Sequence, residues 1–238
     1  MKSSAISRLE SLLQAKRLGD TLTGLRPDEG IRRVTTGERE LDAALEGGWR
    51  MGEVSELVGA RSMGRTSLLI RTLAAATSRG DVVGLVDAFD RFDPVTAAAA
   101  GLDLDRVLWV RGPQLTVELA RAAVIERAVH QAVRALDLIV RAGGFAVAAL
   151  DLADVPARHV RALPWTTWLR LAHVNEGRDT VCLLVGEAPM GKSARGVTVY
   201  LEATPRWTGT SPQSRRLAGL AVQARAGLNG RAKVDVAS

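Results

Sequence analysis

Short strand-like runs recur along this chain, at residues 53–58, 82–86, 107–110, 145–150 and 181–185, all but the first almost wholly apolar, each separated from the next by a stretch of helical length. A strand that is apolar on both faces has to be covered on both. The pattern therefore calls for a mostly parallel sheet flanked by helices. The intervening stretches agree with it. Leu68, Leu69, Ile70, Leu73 and Ala74 follow the first run, and an Ala-rich helix passes through residues 97–100. Residues 116–141 set Leu119, Ala122, Ile125, Val129, Val133, Leu136 and Val140 on one helical face, and a further helix falls near residues 163–174. The end of the chain changes character. Residues 197–202, 217–226 and 232–236 read as strands with no helix-length segment between them, the last two joined by a Gly-Leu-Asn-Gly turn. An antiparallel extension of the sheet is expected there. Ahead of the sheet, Ala5, Ile6, Leu9, Leu12 and Leu13 form a short amphipathic helix, cut off by Gly19 and the Pro27-Asp28-Glu29-Gly30 stretch. The expected organisation is an N-terminal helical arm (1–34), an α/β core (35–203) and a basic strand or hairpin segment (204–238).

Composition removes several classes. One cysteine, Cys182, is too few for a disulfide framework or a thiolate zinc site, and it falls inside an apolar strand as an inert core thiol. No apolar run approaches the roughly 20 residues that span a bilayer. The opening Met1-Lys2-Ser3-Ser4 leads into charged residues rather than an apolar stretch, so a cytoplasmic protein without membrane contact is expected. His130, His159 and His173 are scattered without metal-ligand spacing. Charge is unevenly placed: of a net +6, the last 36 residues hold Arg206, Arg215, Arg216, Arg225, Arg231 and Lys233 against Asp235 alone. Such a segment suits an anionic partner, either single-stranded DNA or an acidic protein face, and equally a solvated surface.

The first apolar run ends in Gly59-Ala60-Arg61-Ser62-Met63-Gly64-Arg65-Thr66, and a helix follows. Strand, Gly-rich turn and helix are the frame of a phosphate-binding P-loop, G-x-x-x-x-G-K-[ST]. Gly59, Gly64 and Thr66 stand at its positions, but Arg65 replaces the lysine that reaches the β and γ phosphates. Arginine keeps the charge and changes the shape. Met63 also brings a bulky side chain to a turn that must curl tightly. The alternative is a bare strand-to-helix turn. Asp151 closes the 145–150 run where a P-loop protein keeps a magnesium-binding carboxylate, and a strand-ending Asp is also an ordinary cap.

Several ordered blocks resemble the RecA recombinase core. They are Thr36-Gly37-Glu38-Arg39-Glu40-Leu41-Asp42-Ala43-Ala44-Leu45, then Met51-Gly52-Glu53-Val54, and Val86-Asp87-Ala88-Phe89-Asp90 followed by Gly101-Leu102-Asp103. The resemblance covers residues 35–151 well and the rest loosely. It implies the RecA fold, and it also implies that the chemistry has gone. Phe89 stands where the family's glutamate activates water, and Phe cannot accept a proton. Thr96 replaces the aromatic that stacks on adenine, and Glu187 replaces the glutamine that couples nucleotide to DNA. The segment in place of the DNA-binding loop is only residues 188–196, with Lys192 and Arg195 as its cations.

A RecA-like core without its engine, together with Pro164-Trp165-Thr166-Thr167-Trp168-Leu169-Arg170 and Glu176-Gly177-Arg178, resembles the ImuA family of mutagenesis-cassette proteins. That resemblance implies a non-catalytic adaptor in SOS-induced translesion synthesis. Its partners would be an ImuB-like polymerase relative, RecA, and indirectly an error-prone polymerase α subunit, with homo-oligomers possible through the arm. It implies no cofactor beyond weak Mg-ATP at the turn. Trp165 and Trp168, three apart on a helix, are expected to share one face as core or as interface. A SulA-like cell-division inhibitor and an ATPase that keeps Arg65 and Asp151 in use are the competing readings.

Overall fold

The computed structural model describes residues 32–115, 120–209, 214–226 and 230–234, within the unit that begins at Arg32. The helical arm, Leu119 and the tip of the last hairpin lie outside these residues. A short antiparallel pair, β1 (Arg33–Val34) and β2 (Trp49–Arg50), is separate from the main sheet, whose eight strands among the described residues run in the order β10-β9-β8-β3-β7-β6-β4-β5. The eight are β3 (Val54–Gly59), β4 (Val83–Asp87), β5 (Val107–Arg111), β6 (Val147–Asp151), β7 (Val181–Gly186), β8 (Thr198–Thr208), β9 (Arg216–Ala226) and β10 (Gly230–Val234). From β8 across to β5 every pairing is parallel, while β8–β9 and β9–β10 are antiparallel. The fold is the one the apolar runs called for. β8 continues without a break through residues 203 and 204, so the basic segment enters as the prolongation of a core strand.

Alternation along the strands sorts side chains into two layers. Leu57, Leu85, Val147, Ala149, Leu183, Val185 and Leu201 face α2 (Arg65–Thr77) and α1 (Arg39–Ala44). Val54, Val86, Ala148, Leu150, Cys182 and Leu184 face α4 (Ala122–Ala142), α5 (Ala157–Arg161) and α6 (Trp165–Asn175). Cys182 is fully buried, and burial pushes its thiol pKa up, which leaves it inert. The short α3 (Pro94–Ala99) starts on Asp93, whose carboxylate accepts from the Val95 N–H and the Thr96 hydroxyl. Thr96, at the position of the adenine-stacking aromatic, is thus a capping residue here.

Three details differ from the sequence expectation. α4 begins at Ala122, after Arg121 in extended conformation, and residues 116–119, where the sequence starts this helix, lie outside the described residues. A separate turn of helix, α5, precedes α6. Trp165 and Trp168 do not share a face: Trp168 is buried, with Gly191 packed against its ring, while Trp165 is 70% exposed. A helix advances 300° in three residues, enough to carry the two rings onto different sides of a narrow buried stripe.

The Thr36–Leu45 block is a docking device. Asp42 accepts from the Thr35 hydroxyl and the Thr36 N–H, which closes the turn in front of α1. The Thr72 hydroxyl of α2 donates to the Thr36 carbonyl and accepts from the indole N–H of Trp49, both partners being fully buried. A Cβ on Gly37 would stand 2.7 Å from the Arg71 carbonyl oxygen. Replacing Thr72 with Val strands the indole N–H in the core, and a loss of about 2 kcal/mol in denaturant unfolding is expected.

The connection from β7 to β8 is unusual for parallel neighbours of a common strand. It runs from the carboxyl end of the sheet to the amino end as an extended segment, residues 187–197, without a helix. Buried Glu56 of β3 holds it. One carboxylate oxygen accepts from the N–H groups of Met190 and Gly191, each at 2.6 Å, and the other from the Thr198 hydroxyl at 2.6 Å. Further along, Ser193 exchanges bonds with the Val54 backbone and with Glu53, and Gly196 lies so close to the Val54 carbonyl that a Cβ would overlap it.

Candidate functional site

The strand-to-helix turn after β3 lies at the carboxyl edge of the sheet, beside the ends of β7, β6 and β4. In open parallel sheets this edge is where ligands bind. Ser62 and Gly64 are in the left-handed region, φ 63° and 87°. Gly64 is the N-cap of α2 and no side chain caps the helix, so its first N–H groups stay open at the positive end of the helix. Gly59 is required by its neighbour strand, since a Cβ there would sit 2.9 Å from the Leu201 carbonyl oxygen. Met63 does not obstruct the turn as its size suggested. Its side chain packs over β8, where Sδ lies 3.0 Å from the Ala203 nitrogen, and braces the turn against that strand.

Thr66 is exposed at the start of α2, whereas the Arg65 side chain turns inward and is only 5% exposed. Its Nη1 is buried with no hydrogen-bond partner among the described residues. Burial pulls the guanidinium pKa below its usual value, and the charges of Asp151, Asp154 and Glu187 oppose that shift. Asp151 lies at the end of β6, in register with Asp87 at the end of β4. Its carboxyl is pushed up to about 6, first by burial. The Asp87 and Asp154 carboxylates add to the rise, while the Ala153 N–H and Arg65 oppose it. Asp87 accepts from the Phe92 N–H at 2.7 Å and is itself buried. Arg65 and Asp151 therefore belong to one group of charges, with buried Asp87, half-buried Asp154 and exposed Glu187 around them.

Asp87 and Asp154 were not singled out from the sequence. Asp87 closes an apolar run just as Asp151 does. The strand order that sets the two side by side is a tertiary fact.

The predicted cations do not form one surface. Lys192 is exposed and Arg195 half-buried on the segment that Ser193 ties to Val54, at the amino edge, the opposite end of the sheet from Arg65. Only Thr198–Leu201 of β8 pair with β3, so the rest of the β8–β9 hairpin runs on past the carboxyl edge. It carries Arg206, opposite Gly219, and exposed Arg216 and Arg215 near its turn. Arg225 and Arg231 face each other across β9 and β10, roughly 20 Å back along the strand from Gly219. The Arg225 guanidinium lies 5.4 Å from the Tyr200 ring and 3.8 Å from Glu202. Among the histidines, His159 is buried with Nδ1 3.7 Å from Glu126, and His130 and His173 are exposed.

Residues 9–154 match the RecA N-terminal domain. The chain belongs to that family. Similar proteins include Protein RecA of Prochlorococcus marinus (strain MIT 9211), 36% identical over 113 residues, and Protein RecA of Synechococcus sp. (strain CC9605), 35% identical over 113 residues. Each alignment covers 44% of this chain and 30% of the relative. The chain thus spans less than a third of the length of the curated relatives it matches.

The RecA family implies Mg-ATP at this turn, and the residues fit only part of that role. The open N–H groups of the turn and the unpartnered Nη1 of Arg65 are donors suited to phosphate, and Thr66 with Asp151 would supply oxygens to a magnesium ion. Phe89, at the position the sequence comparison gives to the family's water-activating glutamate, does not fit the role of proton acceptor. Phe89, 2% exposed, packs into the α4 layer with Val86, Ile125 and Val129, so the position of the proton acceptor is part of the core. The next residue, Asp90, turns back in the left-handed region and is tied to Arg111 by two 2.8 Å bonds. Its carboxyl, held down to about 2 by Arg111 and Gln114, is not available as a base at neutral pH.

Proposed function

We propose that this RecA-family chain is a non-hydrolysing adaptor in DNA-damage tolerance. In this reading it is an ImuA-like protein that joins an ImuB-like polymerase relative, and RecA, to an error-prone polymerase during SOS-induced translesion synthesis. Phe89 carries the reading: the position of the water-activating group is filled by a core side chain, while the parallel sheet around it is complete from β8 to β5. Arg65, turned inward and 5% exposed in the field of Asp151, Asp154 and Glu187, supports it. β5 offers a route to RecA, being paired on one side only among the described residues, with Leu108 exposed. An unpaired strand edge is a ready template for another chain. The hairpin cations that pass the carboxyl edge suit single-stranded DNA or an acidic partner face.

The test follows Mg-ATP hydrolysis by the purified chain with and without single-stranded DNA, alongside capture of the ImuB-like protein and RecA. The expected result is phosphate release no faster than the protein-free control, with partner capture unchanged when Mg-ATP is withheld. DNA-stimulated hydrolysis would replace the adaptor reading with a motor.

A further inference from the structure

Helices α5 and α6 bear a surface that the nucleotide turn does not use. Trp165 is 70% exposed and Leu169 53% exposed, one helical turn apart on the same side of α6. Large apolar side chains set singly on a surface are ordinary. Two stacked in register, one of them Trp, form a patch. Within the two helices the charges have one sign, while Glu126, Glu176 and Glu187 stand on the neighbouring segments. From Ala157 to Asn175 there is no Asp, Glu or Lys, and the cations Arg158, Arg161 and Arg170 are all exposed. Aromatics and Arg present, Lys, Glu and Asp absent, is the composition that separates interface centres from general surface.

A cleft lies against α5. It is shallow and open to solvent, lined by Val155, Val160, Ala188, Pro189 and Met190, with Arg161 and Glu187 as the charged residues of its wall. Met190 belongs to the β7–β8 segment that Glu56 fixes, and the following Gly191 lies against Trp168, so one wall is rigidly tied to α6.

We propose that the α5–α6 surface docks an acidic, amphipathic segment of a partner polypeptide. One aliphatic or aromatic side chain of the segment would enter the cleft and a second would lie on Trp165 and Leu169, with its carboxylates meeting Arg158, Arg161 and Arg170. The aliphatic half of the patch and the apolar cleft favour a peptide over nucleic acid, whose bases would use the indole and leave Leu169 and the cleft idle. This deepens the adaptor reading by giving the partner's contact a chemistry. It stands on residues the nucleotide turn does not share, so hydrolysis by the chain would overturn that reading and leave this surface in place.

The experiment titrates the full chain into fluorescein-labelled synthetic peptides of 16 residues. One is Glu-rich with Leu and Phe at i and i+4, one has both apolar anchors replaced by Ser, and one has Lys for every Glu. A labelled oligothymidylate of 16 nucleotides is run in parallel, and sedimentation is followed against concentration. The proposal expects saturable binding of the first peptide only. That binding should weaken at least tenfold in Trp165→Ala and in Leu169→Ala, with thermal midpoints unchanged because both side chains are exposed. Equal binding of all three peptides, or binding that both substitutions leave intact, overturns it. Trp165-dependent binding of the oligonucleotide without the peptide reassigns the surface to nucleic acid, and Trp165-dependent self-association reassigns it to a second copy of the chain.

Discussion

Glu56→Ala is expected to destabilise the chain by about 4 kcal/mol in denaturant unfolding. The side chain is 2% exposed and accepts three hydrogen bonds, from Met190 N–H, Gly191 N–H and the Thr198 hydroxyl. Truncation strands three buried donors at once and removes a charge-assisted acceptor, which is worth more per bond than a neutral one. It also frees the β7–β8 segment from the sheet, so amide exchange in residues 188–196 should accelerate before global unfolding. Glu56→Gln separates the two parts of the effect. Its amide oxygen keeps the two backbone N–H bonds and its NH2 can donate to the Thr198 oxygen, so a loss of about 1–2 kcal/mol is expected. Equal losses for Ala and Gln would mean that charge, not bond count, holds the segment.

Asp151→Asn should act in the opposite direction and only above a threshold pH. The Asp151 carboxyl ionises near 3.8 in an unfolded chain and is pushed up to about 6 in the fold by burial. Between these values the folded chain holds a proton that the unfolded chain has released. Stability therefore falls as pH rises from about 4 to about 6 and is level beyond it. The cost once the group is ionised is about 3 kcal/mol. Asparagine keeps the shape without the charge. The variant should unfold about 3 kcal/mol later than the parent at pH 7.5, roughly 6–12 °C in midpoint for a chain of this size. At pH 4 the two should unfold together. A gain that is the same at both pH values, or a loss at pH 7.5, would show that Asp151 is held ionised by Arg65 and not disfavoured by burial. Retaining a costly carboxylate where a neutral side chain would be more stable is the mark of a position with a role beyond stability.

The apolar runs were enough to read the α/β class, the strand positions and the parallel sheet, because a strand buried on both faces has no other pattern. The antiparallel end was readable for a complementary reason, the absence of any helix-length connection between its strands. Gly59, Gly64 and Thr66 marked the turn, since backbone curvature and helix start are local properties written in residue type. Phe89 was legible as the loss of a base by the same token.

The destination of each side chain was decided only by tertiary structure. Arg65 reads as a cation aimed at phosphate, yet it turns inward, because Asp151, Asp154 and Glu187 come from other elements and converge only when β6 and β7 lie beside β3. Trp165 and Trp168 were indistinguishable by spacing. Which of them is buried follows from where Gly191 lands, and Glu56, more than 130 residues away, sets that. The basic segment read as one surface and divides along the sheet, because the hairpin overruns the edge of β3 while Lys192 is carried to the other end. Residue type and short-range periodicity are fixed along the chain, whereas burial and electrostatic neighbourhood depend on strand order and crossover path, which bring together residues that no local pattern relates.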